Sequence, residues 1–248
     1  MDRFSYSSLS AMRGAMARQT ATANNLANAN TPGFRADMAA QQALWLRGSG
    51  LNARVQASEE VKSADMAGGT INATGKPLDV ALERDALLTV QADDGEEAYT
   101  RRGDLATTDT GLLVNGDGTP VIGENGPITI PPADRIDIAN DGAIRITPLG
   151  GDPDAELVQV DRLKLVSPAG SKVDKGLDGL FRVNGGGALP ADPEARLRSG
   201  SLEQSNVNTS QALVEMIEAS RAWETQVKLL SQAREIDVSA TELMRLDN

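Results

Sequence analysis

The chain has 248 residues, with 24 Lys and Arg against 35 Asp and Glu, a net charge of −11 and neither His nor Cys. These absences exclude Ser-His-Asp and Cys-His nucleophiles, and they exclude thiolate or imidazole metal ligands. Aromatic residues make up only 3% of the chain, and an acidic protein with few stacking platforms repels nucleic acid. We therefore expect no metal, no cofactor and no nucleic-acid partner.

No apolar run approaches the ~18–20 residues that span a bilayer, and the N-terminus lacks the apolar segment of a secretory signal. We therefore expect no direct membrane insertion and no cleaved signal peptide.

The first thirty residues predict a helix. Small and soft side chains recur at alternating spacings of four and three, which is a heptad seam; they are Ser5, Leu9, Met12, Met16, Gln19, Ala23 and Leu26. Pro32 disfavours the α conformation of the residue before it, so the helix should stop near Asn30. Pro32 and Gly33 fit the central positions of a type II turn.

The middle of the chain predicts β structure. Residues 35–66 are interpreted as a helix fragment followed by an extended linker. Short apolar runs separated by turn dipeptides then predict strands near 80–82, 87–90, 112–114, 121–122, 128–130, 136–138, 144–146 and 163–166. The dipeptides Asp94-Gly95, Asp117-Gly118, Asn125-Gly126 and Asp141-Gly142 are typical of hairpin turns.

Residues 207–246 predict a long helix with two apolar seams. One seam holds Leu213, Met216, Ser220, Trp223, Val227 and Leu230, and the other holds Leu229, Ala233, Ile236, Ala240 and Leu243. Two seams well over 90° apart favour neighbours on two sides, although a helix partly packed on its own domain is the alternative. Residues 1–30 carry three Arg and one Asp, whereas residues 201–248 carry eight acids and four bases, so the two ends are complementary in charge.

We expect an α+β fold. Long N- and C-terminal helices, in 1–34 and 205–248, are predicted to pair as a coiled-coil-like module, with a linker at 35–66 and a central all-β domain at 67–204.

Candidate catalytic patterns are weak. The run Gly185-Gly186-Gly187 lacks the Lys-Ser/Thr of a phosphate loop, and Asp152-x-Asp154 lacks the further ligands of a calcium loop. Adjacent acids such as Asp93-Asp94 are more typical of a solvated turn than of a glycosidase pair. Four Asn residues, Asn24, Asn25, Asn28 and Asn30, either fray the helix end or bond to neighbouring subunits. No enzymatic activity is expected.

Three motifs resemble those of the bacterial flagellar rod and hook axial proteins. Residues 23–35, Ala-Asn-Asn-Leu-Ala-Asn-Ala-Asn-Thr-Pro-Gly-Phe-Arg, resemble their N-terminal motif. Residues 205–208 with 213–217 and 220–222 resemble their C-terminal helix, and residues 75–82 with 98–104 resemble the start of their β domain. The family usually has a pair of Phe where this chain has Leu87-Leu88. Within the family, the length and the opening Met1-Asp2-Arg3 look most like a proximal-rod member, with a distal-rod member as the nearest alternative.

The resemblance implies a structural subunit whose terminal helices form the wall of a tube. It implies copies of itself, other proximal and distal rod subunits and the flagellar type III export apparatus as partners, and a place in the basal body in the periplasmic space. The assembly residues are then expected to be Leu9, Met12, Met16, Asn24, Asn25, Leu26, Asn28, Thr31, Pro32, Gly33, Phe34, Asn206, Val207, Leu213, Met216, Ile217, Arg221, Trp223, Val227, Leu229, Leu230, Ile236 and Leu243. A secreted β-rich adhesin with a helical stalk is the alternative from another class.

Overall fold

The computed structural model describes residues 2–45, 55–150 and 157–246. The chain divides into two compact units. Unit 1 comprises Met1–Ala27, Asp37–Ser63 and Asn208–Asn248, and unit 2 comprises Asn28–Ala36 and Ala64–Val207. The first unit is built mainly from the two helices, and the second is built from short strands.

Unit 1 contains helix α1 (Asp2–Ala27) and helix α2 (Thr209–Leu246). Between them in the sequence, β1 (Asp37–Trp45) and β2 (Val55–Ala64) form a two-stranded sheet. The interpretation of this segment as a helix fragment with a linker was therefore wrong. Ala and Gln favour a helix locally, but backbone pairing with a strand further along the chain overrides that preference.

Helix α1 contacts α2 through small side chains. Ser8, Ala15 and Thr22 recur every seven residues on α1 and are buried, and Ala212 and Ala219 are buried on α2. The Ser8 hydroxyl donates to Oε1 of Gln226 at 3.4 Å. Small side chains let two helix backbones approach closely, so contact between these helices does not need large apolar residues.

The predicted coiled-coil-like pairing is wrong, although the α+β class is consistent with the structure. Leu9 and Met16 on α1, and Leu213 and Val227 on α2, lie on the predicted seams, yet all four are exposed. On α2 the buried stripe lies one residue away, at Ala212 and Ala219. A repeat of four and three residues fixes the spacing of an apolar stripe but does not decide which neighbouring stripe faces the partner helix.

Asn208 caps the first turn of α2. Its Oδ1 accepts from the backbone N–H groups of Ser210 at 3.1 Å and Gln211 at 3.2 Å, and its carbonyl accepts from Ala212 N at 2.9 Å. An Asn at this position satisfies donors that otherwise have no partner within the helix.

We expect Asn208→Ala to destabilise α2 by about 1 kcal/mol, because the side-chain acceptor is lost. Amide hydrogen exchange of Ser210 and Gln211 should speed up, whereas Asn208→Asp should keep the exchange slow. Equal protection in the Ala and Asp variants would contradict the capping role.

Unit 2 is built from sixteen described strands, all short. They are β3 (Ile71–Ala73), β4 (Val80–Leu82), β5 (Leu87–Gln91), β6 (Glu97–Thr100), β7 (Ala106–Thr107), β8 (Leu113–Val114), β9 (Ile122–Gly123), β10 (Gly126–Pro127), β11 (Ala133–Ile138), β12 (Ala143–Pro148), β13 (Val158–Arg162), β14 (Leu165–Val166), β15 (Val173–Lys175), β16 (Phe181–Val183), β17 (Leu197–Ser199) and β18 (Ser201–Glu203).

The largest described sheet has the order β14-β5-β6-β16-β15, and a three-stranded sheet has the order β11-β12-β13. The other described strands of the unit form four two-stranded pairs: β17-β4, β18-β3, β7-β8 and β10-β9. The neighbours pair antiparallel. Strand β18 is the last described strand of unit 2, and residues 204–207 follow it before α2.

The hairpin predicted around Asp141-Gly142 is confirmed. Ile136 pairs with Ile146 and Ile138 pairs with Ile144 across β11 and β12. Gly142 adopts a φ of 84°, a conformation that favours glycine. Residues 128–130 were predicted as a strand but form none, although Ile128 and Ile130 are buried.

The core of unit 2 has two apolar clusters. The larger contains Leu88, and the smaller packs Leu87 against Tyr99 and Phe181. Neighbouring residues of a strand point to opposite faces, so the Leu87-Leu88 pair fills one position in each cluster. These two leucines are fully buried, and they occupy the place where the resemblance led us to expect two Phe.

Among the described residues, neither helix combines the length and apolarity that crossing a bilayer requires.

Candidate assembly interface

The turn at residues 31–34 has the geometry that its sequence predicts. Phe34 N donates to the Thr31 carbonyl at 3.3 Å, and Gly33 adopts a φ of 67°. Gly33 N donates to the carbonyl of Glu203 at 2.8 Å. A Cβ at residue 33 would collide with the backbone carbonyl of Arg101. Glycine is therefore required here both by its conformation and by the close approach of a second backbone segment.

Phe34 and its neighbour bind a lysine of strand β15. The ammonium group of Lys175 lies 3.8 Å from the centre of the Phe34 ring, a cation–π contact. The same group donates to the Arg35 carbonyl at 2.7 Å. The turn is thus attached to the edge of the five-stranded sheet.

A buried ionic cluster lies next to this turn and joins three distant parts of the sequence. Arg35 Nη2 lies 2.9 Å from Glu203 Oε1, and Arg101 Nη2 lies 2.6 Å from Glu203 Oε2. All three side chains are no more than 4% exposed. Burial, reinforced by the charge of Arg101, lowers the pKa of Arg35 from its ordinary value, while Glu203 opposes that shift. We call these residues the Arg35–Glu203–Arg101 cluster.

Backbone carbonyls satisfy the remaining donors of Arg101. Its Nη1 donates to Arg84 O at 2.7 Å and Ala86 O at 2.6 Å, and its Nη2 donates to Leu82 O at 3.1 Å. Such multiple acceptors suit the fixed fork of a guanidinium group. Arg101 therefore fixes Glu203 to the end of β4 and to the turn that joins β4 to β5.

Sequence reasoning did not select the members of this cluster as site residues. Arg35 and Arg101 do lie within the motifs that carry the resemblance, and Glu203 comes just before one of them. The position of Arg35 and Arg101 inside these motifs was the one signal in the sequence that could have pointed to them.

Asn206 holds two further segments together. Its Oδ1 accepts from Ala36 N at 2.8 Å, and its Nδ2 donates to the carbonyls of Asp65 at 2.9 Å and Ala67 at 3.0 Å. The whole side-chain amide is therefore satisfied within unit 2. Its predicted contact with a neighbouring subunit stays a prediction.

Two of the clustered Asn residues bond inside unit 1. Asn25 Nδ2 donates to the Asp37 carbonyl at 3.0 Å, and its Oδ1 accepts from Asp37 N at 2.7 Å. Asn24 Nδ2 donates to the Asp37 carboxylate. These bonds tie the end of α1 to the start of β1. In unit 2, the carbonyl of Asn28 accepts from Thr31 N and its Oδ1 accepts from the Thr31 hydroxyl, both at 3.1 Å.

The predicted assembly residues on the two helices fall into an exposed group and a half-buried group. The exposed members are Leu9, Met16, Leu213, Ile217, Arg221, Val227, Leu229 and Ile236. The half-buried members are Met12, Leu26, Met216, Trp223 and Leu230. Val207 and Pro32 are half-buried in unit 2. The side chain of Leu243 lies outside the described residues.

Comparison with known families matches three parts of this chain. Residues 6–35 match the model described as "Flagella basal body rod protein". Residues 81–146 match "Flagellar hook protein FlgE/F/G D1 domain", and residues 198–243 match "Flagellar basal body rod FlgEFG protein C-terminal". The first and last matches contain the turn, Glu203 and Asn206.

Curated relatives match along almost the whole chain. Flagellar basal-body rod protein FlgF of Salmonella typhimurium is 42% identical over 99% of this chain and 100% of the relative, and FlgF of Escherichia coli gives the same values. Flagellar basal-body rod protein FlgG of Bacillus subtilis is 31% identical over 99% of this chain and 100% of the relative. The resemblance drawn from the motifs is confirmed, and the chain belongs to the family of flagellar basal-body rod proteins.

Proposed function

We propose that this chain assembles into the rod by packing the exposed apolar faces of α1 and α2 against neighbouring rod subunits. The chain is a structural subunit of the bacterial flagellar basal-body rod, as its family membership establishes. The observation that carries the assembly proposal is the exposure of large apolar side chains along both helices.

The exposed residues of α2 lie on two flanks. At 100° per residue, Leu213, Ile217 and Val227 fall within an arc of about 80° on one side of the stripe that is buried against α1. Leu229 and Ile236 are seven residues apart and lie on the other flank. Neighbours on both flanks would bury both groups.

Helix α1 adds a third apolar face. Leu9 and Met16 are two turns apart and are 45% and 60% exposed. Fully burying a large apolar side chain contributes about 1.5–3 kcal/mol. Contiguous exposed apolar surface marks interaction sites in soluble proteins. Assembly through these faces would therefore be driven mainly by apolar burial.

Ile217→Glu should block incorporation of the chain into basal bodies, because a charge would be buried at the subunit contact. The measurement is the amount of the chain in isolated basal bodies relative to the amount in whole cells. We expect at least a tenfold drop and loss of motility.

Gln232→Glu is the matched control, because it adds the same charge at an exposed polar position of the same helix. It should incorporate as the unaltered chain does. Normal incorporation of Ile217→Glu would contradict the assignment of this flank, provided that both variants are equally abundant in cells.

The finer assignments rest on the resemblance. We propose that the chain occupies the proximal rod, since the relatives at 42% identity are named FlgF. Its partners would be copies of itself, other rod proteins and the flagellar export apparatus. The proposed place is the periplasmic part of the basal body, and no catalytic role is proposed.

A further inference from the structure

Two segments of the chain lie side by side in unit 2. The incoming segment, residues 28–36, follows α1, and the outgoing segment, residues 203–207, leads to α2. Gly33 N donates to the carbonyl of Glu203 at 2.8 Å, and Asn206 N donates to the carbonyl of Phe34 at 3.3 Å. The points at which the chain enters and leaves unit 2 are thus held together by the backbone.

The two carboxylate oxygens of Glu203 have different partners. Oε2 accepts from Arg101 Nε at 3.0 Å and Nη2 at 2.6 Å. Oε1 accepts from Gly69 N at 2.8 Å and pairs with Arg35 at 2.9 Å. Removing Arg35 would therefore leave Glu203 still paired with Arg101 and bonded to Gly69.

Arg35 is the second guanidinium on one carboxylate. Its Nη1 donates to the Ala67 carbonyl, but its Nε is buried with no partner among the described residues. Burying two cations with one anion is costly, and buried ion pairs often add less stability than apolar side chains of the same volume. A contribution to folding stability therefore accounts for the presence of Arg101 better than for the presence of Arg35.

We propose that Arg35 is a positioning residue for rod assembly. It fixes the incoming segment to the outgoing segment, so that the two stretches that continue into α1 and α2 leave unit 2 at a set spacing. This inference rests on the proposed function, because the spacing matters only if both helices meet neighbouring subunits together.

The first test compares Arg35→Met with a core variant of equal stability. Met keeps an unbranched side chain of comparable length but lacks the positively charged guanidinium group. Ile144→Val, or Ile144→Ala where the loss is larger, provides the control, since Ile144 is fully buried in the core of unit 2. The melting temperature of each full-length variant is measured, and the Ile144 variant whose melting temperature equals that of Arg35→Met serves as the control.

Arg35→Met should incorporate into basal bodies at least tenfold less than the matched Ile144 variant. Equal incorporation of the two would overturn the positioning role and leave Arg35 as a stabilising residue. If Arg35→Met yields too little folded chain, Arg35→Lys replaces it in the comparison with an Ile144 variant of equal stability. Lys keeps the positive charge but lacks the planar guanidinium group. Failure of the proposed function itself would appear separately, as normal incorporation of Ile217→Glu.

The second test measures the spacing directly. The chain has no Cys, so Asn30→Cys with Thr70→Cys places two spin labels without competing thiols. Both positions are exposed, and the Thr70 carbonyl accepts from Gln204 N of the outgoing segment at 2.8 Å. Double electron–electron resonance should give one narrow distance distribution, which Arg35→Met broadens and the matched Ile144 variant does not. An unchanged narrow distribution in Arg35→Met would overturn the proposal.

Discussion

Gly33→Ala should lower the free energy of unfolding of unit 2 by about 2–4 kcal/mol. A non-glycine residue at a φ of 67° is strained, and the added Cβ would collide with the backbone of Arg101 and Arg102. A backbone neighbour cannot move away as a flexible side chain can, so the overlap adds the cost of an overpacked site. Amide hydrogen exchange of buried residues such as Tyr99 measures the change in the full chain.

Gly118→Ala is the matched control for this prediction. Gly118 also has a positive φ, of 83°, but its added Cβ would meet no atom within 4 Å. It should therefore lose only about 1 kcal/mol, from backbone strain alone. Equal losses in the two variants would show that the close packing of Gly33 on Arg101 has no energetic effect.

Arg101→Leu should destabilise unit 2 by about 3–5 kcal/mol, because it removes one partner from a buried ion pair. The carbonyls of Leu82, Arg84 and Ala86 also lose their side-chain donor. An unsatisfied buried polar group is costly in itself. Denaturant unfolding of the full chain, followed by exchange of core amides, measures the loss.

Arg182→Leu provides a surface comparison. Arg182 pairs with Asp178 at 2.7 Å, but its side chain is 33% exposed. Removing such a pair should cost less than about 1 kcal/mol. A loss for Arg101→Leu as small as that for Arg182→Leu would contradict the structural role of the Arg35–Glu203–Arg101 cluster.

Turn dipeptides and side-chain alternation correctly predicted the structural elements whose interactions lie within a few residues of one another in the sequence. The alternation of Ile136 to Ile146 around Asp141-Gly142 predicted a hairpin, because turn chemistry and side-chain period agree. The proline-glycine pair likewise predicted the turn that places Gly33. These features depend on residues close together in the sequence.

Non-local contacts explain what the sequence did not predict. Strands β1 and β2 contain many helix-favouring residues, and only the pairing of one with the other makes them a sheet. On α2, periodicity could not distinguish Leu213 from Ala212 as the residue facing α1. Arg35, Arg101 and Glu203 are far apart along the chain, so no spacing rule connects them. Tertiary structure alone brings them together.

The packing of both flanks of α2 against neighbouring subunits can be seen in an electron-microscopy map of basal bodies isolated from cells that produce this chain. We expect Leu213, Ile217 and Val227 on one flank of α2, and Leu229 and Ile236 on the other, to lie within about 4.5 Å of side chains from neighbouring rod subunits. A rod in which both flanks face solvent, or from which this chain is absent, would contradict this expectation.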